Sequence, residues 1–230
     1  MLFNSLTFIA FFVVVLVLHN APLPWKVKKV NLLLASYVFY AAWNPPFVIL
    51  LWISTMVDWR VAKRIYAEDR LSRRRAWVAL SVLVNLGLLG YFKYGEFLLD
   101  NWQVLMSAMG VTWTPPDWDI VLPVGISFYT FQTMAYSLDV YLRRAKPADS
   151  LLDFALFVTF FPQLVAGPIV RPTQLIPQFQ EPVRASANQL IWGLGLMTLG
   201  LFEKIVIADG ALAPAADAVF GADKPVPFSD

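Results

Sequence analysis

"LPVGISFYTFQTMAYSLDVY", residues 122–141, is too apolar for a solvated surface and too polar to face lipid. Ser127, Tyr129, Thr130, Gln132, Thr133, Tyr136, Ser137 and Asp139 stand among Ile, Val, Leu and Phe. On a helix, at about 100° per residue, Tyr129, Gln132, Tyr136 and Asp139 fall within about 80° of one another. Thr130, Thr133 and Ser137 widen that face, and Phe128, Phe131, Ala135 and Leu138 occupy the other. The spacing predicts a helix over 121–141 with one hydrogen-bonding side. Polar groups at membrane depth are costly unless they meet partners or line a cavity. For Ser127, Thr130, Thr133 and Ser137 the plain reading is contact between packed helices. Tyr129, Gln132, Tyr136 and Asp139 admit both that reading and a cavity wall. Arg143, one turn past Asp139, offers it an ion pair at the membrane interface.

Composition supports the membrane setting. Of 230 residues, 58% are hydrophobic and 15% charged, against about 25% charged in a typical soluble domain. The absence of cysteine excludes disulfides, thiolate nucleophiles and cysteine-ligated metals. A single histidine, His19, excludes a histidine-rich metal site, and no metal is expected. A net charge of +2 argues against nucleic acid as a partner. No glycine-rich phosphate loop or nucleotide motif occurs.

Apolar segments alternate with short polar ones. Leu2–Leu18 has no basic n-region and no small-x-small cleavage site after it, so it is read as a retained membrane helix. Val30–Ala42 and Phe47–Val57 flank a break at Asn44, Pro45 and Pro46. A charged block over 58–75 carries seven basic residues from Arg60 to Arg75. Ala76–Tyr94, a weaker segment at Phe97–Met109, Leu151–Val165 and Gln189–Ile207 complete the candidates. The fold class expected is all-α, a polytopic bundle of about 6–8 membrane helices with short or re-entrant segments. Lys26, Lys28 and Lys29, then the arginine-rich block, then Arg143, Arg144 and Lys146 alternate with loops that lack basic residues. Glu96, Asp100, Asp117 and Asp119 lie in one of those basic-free loops. The positive-inside rule then puts the basic segments in the cytoplasm and the N-terminus in the periplasm. Trp25, Trp43, Trp59, Trp113 and Trp118 sit at segment ends, where interfacial aromatics belong. No internal repeat is evident, which disfavours an inverted-repeat transporter.

A second stretch, "FFPQLVAGPIVRP" at 160–172, interrupts an apolar run with Pro162, Gly167, Pro168 and Pro172. Irregular backbone at membrane depth needs protein or water around it. Gln163 and Arg171 could serve a re-entrant element that lines a site, or this is a helix end with an interfacial arginine. These two stretches, with "GLFEKIVIAD" at 200–209, "NLLLASYVFYAAWNP" at 31–45 and "GYFKYGEF" at 90–97, resemble the membrane-bound O-acyltransferase family, MBOAT. The likeness is greatest to its bacterial polysaccharide branch, typified by alginate O-acetyltransferases, and runs over essentially the whole chain. It implies a multi-helix protein whose central cavity brings acyl donor and acceptor together. The implied reaction acetylates hydroxyls of an exported polysaccharide, alginate by analogy, in the bacterial inner membrane. The implied co-substrate is an acetyl donor, with acetyl-CoA the candidate, and no bound cofactor. The implied partners are the lipid bilayer, envelope polysaccharide-acetylation proteins and the polysaccharide itself. Under the resemblance the polar helix lines the cavity and the proline-rich segment shapes it.

The family's catalytic histidine belongs to a second half that this chain does not match. Residues 1–230 are therefore expected to be the N-terminal part of one domain, inactive alone. No catalytic residue is assigned within it. His19, at the end of the first helix, suits an interfacial position. Asp139, Glu96 and Glu203 are the carboxylates considered for burial, and Lys93 with Glu96 and Glu203 with Lys204 read as interface charges. The other readings are a non-catalytic membrane subunit or complementing half, and a small transporter motivated only by the polar-striped helix.

Overall fold

Among the described residues every regular element is helical. The computed structural model describes residues 3–114, 120–165, 167, 170–182 and 184–221. Asp117, Trp118, Asp119 and Pro168, each given a part above, lie outside the described residues. Contacts divide the chain into two units, one holding Val13–Pro182 and the other Leu2–Phe12 with Val183–Asp230. The division falls within α1 (Leu6–Asn20).

In the first unit, α2 (Trp25–Ala41) starts directly after Pro24. Lys26, Lys28 and Lys29 thus stand in its opening turns, because lysine is a good helix former and no breaker intervenes. Helix α2 ends before Asn44-Pro45-Pro46, a 3-10 turn spans Pro45–Phe47, and α3 (Val48–Ala67) follows. The front of the charged block belongs to α3 rather than to a loop. Asp58, Val61, Ala62 and Ile65 recur at helical spacing and are buried, while Arg60 and Arg64 point outward.

Helix α4 (Leu71–Ala108) is 38 residues long and fuses the two segments expected at 76–94 and 97–109. Gly95 lies inside it. One interior glycine costs only about 1 kcal/mol, too little to end a helix flanked by good formers. Helix α5 (Ile126–Tyr141) begins later than the expected Val121, because Gly125 occupies its N-cap at φ 75°. Helix α6 (Leu151–Thr159) ends at Phe160, whose ψ of 111° leaves the helical range two residues before Pro162, and the short α7 (Phe161–Leu164) resumes. Part of the proline-rich stretch is also helical. Pro172, in the first turn of α8 (Pro172–Gln180), is where a helix tolerates proline best.

Helices α3, α4 and α5 pack on one another, and α6 packs on α2, α3, α5 and α8. The core of this unit holds Tyr40, Leu51, Ile65, Tyr136, Phe154, Phe157 and Leu164.

Polar contacts show which helix ends meet. Trp25 Nε1 donates to the Phe179 carbonyl (2.8 Å), and Lys29 pairs with Asp153 (2.5 Å). Trp59 Nε1 donates to Ala148 O (3.1 Å) and Lys63 to Asp149 O (3.1 Å). Arg74 donates to Tyr141 O and Arg143 to Tyr66 O (2.7 Å). All three basic segments therefore gather at one end of this unit. At the other end Tyr40 donates to Val124 O (3.0 Å), the Phe47 ring meets Phe92 (5.9 Å), and Lys93 reaches Ser127.

In the second unit, α9 (Ala187–Phe202) opens on a capping box made by Ser186 and Gln189. A π-helical stretch, Glu203–Leu212, joins it to α10 (Ala213–Phe220). "GLFEKIVIAD" falls across this junction. No residue of these three elements is buried.

Among the described residues two helical spans, Leu71–Ala108 and Ala187–Phe220, are long and apolar enough to cross a membrane, and α1 is a shorter apolar helix. Only 17% of the apolar window of the first is buried and none of the second, unlike the core helices of water-soluble proteins.

Candidate functional site

The polar side of α5 faces a buried layer built from three helices. Each helix contributes two polar residues one turn apart: Ser54 and Asp58 from α3, Ser81 and Asn85 from α4, Thr133 and Ser137 from α5. All six are essentially inaccessible. Ser81 and Ser137 (3.1 Å) donate to Asp58 Oδ1, and Asn85 Nδ2 donates to Asp58 Oδ2 (2.7 Å). Asn85 Oδ1 in turn accepts from Ser54 (3.0 Å) and Thr133 (3.0 Å). Asn85 is the centre of the layer, since its amide spends both its oxygen and its nitrogen there. The Asp58 carboxyl group meets hydroxyl and amide donors and no cation. In a packed interior such a network fixes how the three helices align, because each unmade bond strands a desolvated group.

A second cluster surrounds the break between α6 and α7. The Phe157 carbonyl would receive the N–H of residue 161 if the helix ran on. Instead it accepts from Gln132 Nε2 (2.7 Å) and Gln163 Nε2 (2.9 Å). The Phe161 N–H is taken by Ser36 Oγ (3.2 Å). Two side-chain amides thus satisfy a carbonyl that the break exposes. Removing one, as in Gln163→Ala, is expected to cost under about 1 kcal/mol. Removing both, Gln132→Ala with Gln163→Ala, should cost about 1–3 kcal/mol, since only then is the buried carbonyl orphaned. Denaturant unfolding of the three variants in detergent measures this excess over additivity.

Tyr129 and Tyr136 are fully buried. The Tyr129 hydroxyl is buried with no hydrogen-bond partner among the described residues. The Tyr136 hydroxyl accepts the Ala148 N–H (2.9 Å), and its ring packs on Phe154 (4.4 Å). The structure thus brings Gln132, Tyr136 and Gln163 into hydrogen bonds within the protein and buries Tyr129. Asp139 is half-buried at the basic end, and Arg171 is exposed at the N-cap of α8. Neither of the two clefts described among these residues, about 440 Å³ and about 20 Å³, is lined by any of the six.

Several expectations need correction. Arg143 does not pair with Asp139. Helix α5 ends at Tyr141, and Arg143 takes left-handed backbone at φ 60°, which carries its guanidinium to the Tyr66 carbonyl and over the Tyr66 ring. Of the carboxylates considered for burial, Glu96 and Glu203 are exposed, in keeping with their reading as interface charges, and Lys204 pairs with Asp209 (2.5 Å). Among the described residues Asp58 is the most deeply buried carboxyl group, hidden in the sequence by the arginines that follow it. The signal for the layer was present as polar pairs four apart in apolar runs: Ser54 with Asp58, Ser81 with Asn85, Thr133 with Ser137. His19 is half-buried, and its ring meets Trp25 edge-on at 5.8 Å.

Comparison with known proteins finds bacterial relatives. A peptidoglycan O-acetyltransferase of Helicobacter pylori is 34% identical to this chain across 99% of it. Probable alginate O-acetylases of Azotobacter vinelandii and Pseudomonas aeruginosa are 37% and 36% identical across 88% and 87% of it. The chain is similar to these bacterial O-acetyltransferases along most of its own length. It spans less than half the length of these relatives: 46%, 40% and 38% respectively. No family model and no solved structure matches it. The apolar helices and these relatives together mark a membrane protein.

Proposed function

We propose that this chain forms the N-terminal part of a polytopic inner-membrane O-acyltransferase of about 6–8 membrane helices that acetylates hydroxyls of an exported polysaccharide. The observation that carries this is the similarity to O-acetyltransferases along nearly all of the chain. Alginate and peptidoglycan are the two acceptor classes that the relatives' names offer. The acetyl donor would be acetyl-CoA or another activated acetyl group, and envelope acetylation proteins would be partners. In this reading the polar layer holds α3, α4 and α5 in register, so that Tyr129, Gln132, Tyr136, Asp139, Gln163 and Arg171 stand at or behind the cavity wall. The hydroxyl-activating histidine comes from outside residues 1–230, since His19 is half-buried against Trp25 at the end of α1.

The test is acetyl transfer in a host deleted for its own polysaccharide O-acetylase. Ester-linked acetate is measured on alginate and on peptidoglycan. The 230-residue chain alone is expected to give none, and the chain with its in-frame genomic continuation to restore it on one polymer. Transfer by the chain alone would sink the partial-enzyme reading. No acetate on either polymer from the continued gene product would sink the acyltransferase assignment.

A second reading, a non-catalytic or complementing subunit, is favoured by the single half-buried histidine. Rescue by a separately encoded second half would support it. Orientation is tested separately. With no native cysteine, single substitutions report cleanly. The basic end is proposed to be cytoplasmic and the N-terminus periplasmic. Ser72→Cys should resist an impermeant maleimide in intact cells, and Thr112→Cys should react. The opposite pattern overturns the orientation.

A further inference from the structure

The cleft of about 440 Å³ lies where α3 ends and α4 begins, and is lined by Arg64, Ala67, Glu68, Arg73, Ala76 and Trp77. Its chemistry is cationic. Arg64 stands in the last turn of α3, and Arg70 is the N-cap of α4 with no side-chain cap bond. The first-turn N–H groups of a helix add positive potential. Glu68 is the one acidic lining residue. It accepts the Arg70 N–H (3.1 Å) and lies 3.7 Å from Arg73. One carboxylate against the two lining guanidinium groups, Arg64 and Arg73, leaves the cleft net positive. Among the described residues neither Arg64 nor Arg70 has an ion pair.

The cleft also opens onto an apolar track. Arg73, Ala76, Leu80 and Leu83 recur on one face of α4, and Leu83 is 71% exposed. Gly87 and Gly90 continue that face, with open space where a side chain would stand. From Arg73 to Leu83 the helix rises about 15 Å, and half of a hydrocarbon core of about 30 Å is the same depth. A cationic pocket one leaflet above a flat apolar track fits a molecule with a phosphate at one end and a hydrocarbon chain at the other. A free phosphate compound would use only the pocket. We propose that this cleft binds the headgroup of an anionic phospholipid, with an acyl chain lying along Leu80, Leu83, Gly87 and Gly90.

The test uses the purified 230-residue chain in neutral detergent, titrated with phosphatidylglycerol, phosphatidylcholine or inorganic phosphate and read by native mass spectrometry. Phosphatidylglycerol is expected to be retained in preference to phosphatidylcholine. The double variant Arg64→Gln with Arg73→Gln should weaken phosphatidylglycerol binding about 30-fold, and Arg64→Lys with Arg73→Lys should keep most of it. Phenylglyoxal footprinting of the unaltered chain gives a variant-free readout, in which phosphatidylglycerol should protect Arg64 and Arg73. Unchanged binding by a folded glutamine variant would overturn the proposal. So would the absence of footprint protection, or displacement of the lipid by equimolar inorganic phosphate, which would mark a free-phosphate site.

Discussion

Gly125→Ala is expected to leave little folded protein. Gly125 sits at φ 75°, and an added Cβ would stand 2.5 Å from the Leu164 carbonyl oxygen. The left-handed conformation alone costs a non-glycine residue about 1–2 kcal/mol. The contact adds more, because its partner is backbone at the end of α7 and cannot swing away. The total should exceed about 3 kcal/mol, a large share of the margin of an ordinary fold. Gly125→Asn separates the two terms, since asparagine tolerates left-handed backbone yet still carries a Cβ. Thermal unfolding in detergent should find both variants strongly destabilised. An asparagine variant as stable as the parent would show that the approach to Leu164 can relax.

Asp58→Ala should be the most damaging substitution in the polar layer. It strands donors from Ser81, Asn85 and Ser137. A buried unpaired donor costs about 1–3 kcal/mol, but serine hydroxyls can turn to a backbone carbonyl of their own helix. Asn85 cannot do so with equal ease, because its amide already bonds the Ser81 carbonyl. Interhelical hydrogen bonds in membrane proteins measure nearer about 0.6 kcal/mol each, so a loss of about 2–4 kcal/mol is expected. Coupling decides the mechanism. Asp58→Ala combined with Asn85→Ala should cost at least about 1 kcal/mol less than the sum of the two. Strict additivity would mean that the two side chains act independently.

These two sites differ in how far the sequence reveals them. The faces of 122–141 were legible because a single helix carries both. Phe128, Phe131 and Leu138 are indeed exposed, and Tyr129, Thr130, Gln132, Thr133, Tyr136 and Ser137 are buried. The packing role expected for Thr133 and Ser137 is what the layer shows. Asp58 was obscured because seven basic residues follow it and charge dominated the reading of that block. Its partners are 23, 27 and 79 residues away, a pairing that periodicity along one helix does not contain. The chain break at Asn44-Pro45-Pro46 was legible because proline acts locally. The continuity of α4 through Gly95 was not, since it rests on neighbours that outweigh one weak residue.

The length of α4 has a consequence for which part of it can vary. Between Arg75 and Lys93 its sequence carries no charge, and these 17 residues rise about 26 Å, close to the thickness of a hydrocarbon core. The 16 residues from Lys93 to Ala108 add about 24 Å, with Lys93, Glu96 and Asp100 among them. That stretch is a mast standing on the crossing segment. Adding or deleting whole turns there would raise or lower whatever follows without disturbing the layer at Ser81 and Asn85. The height of this one post is thus separable from the packing that holds the three helices together.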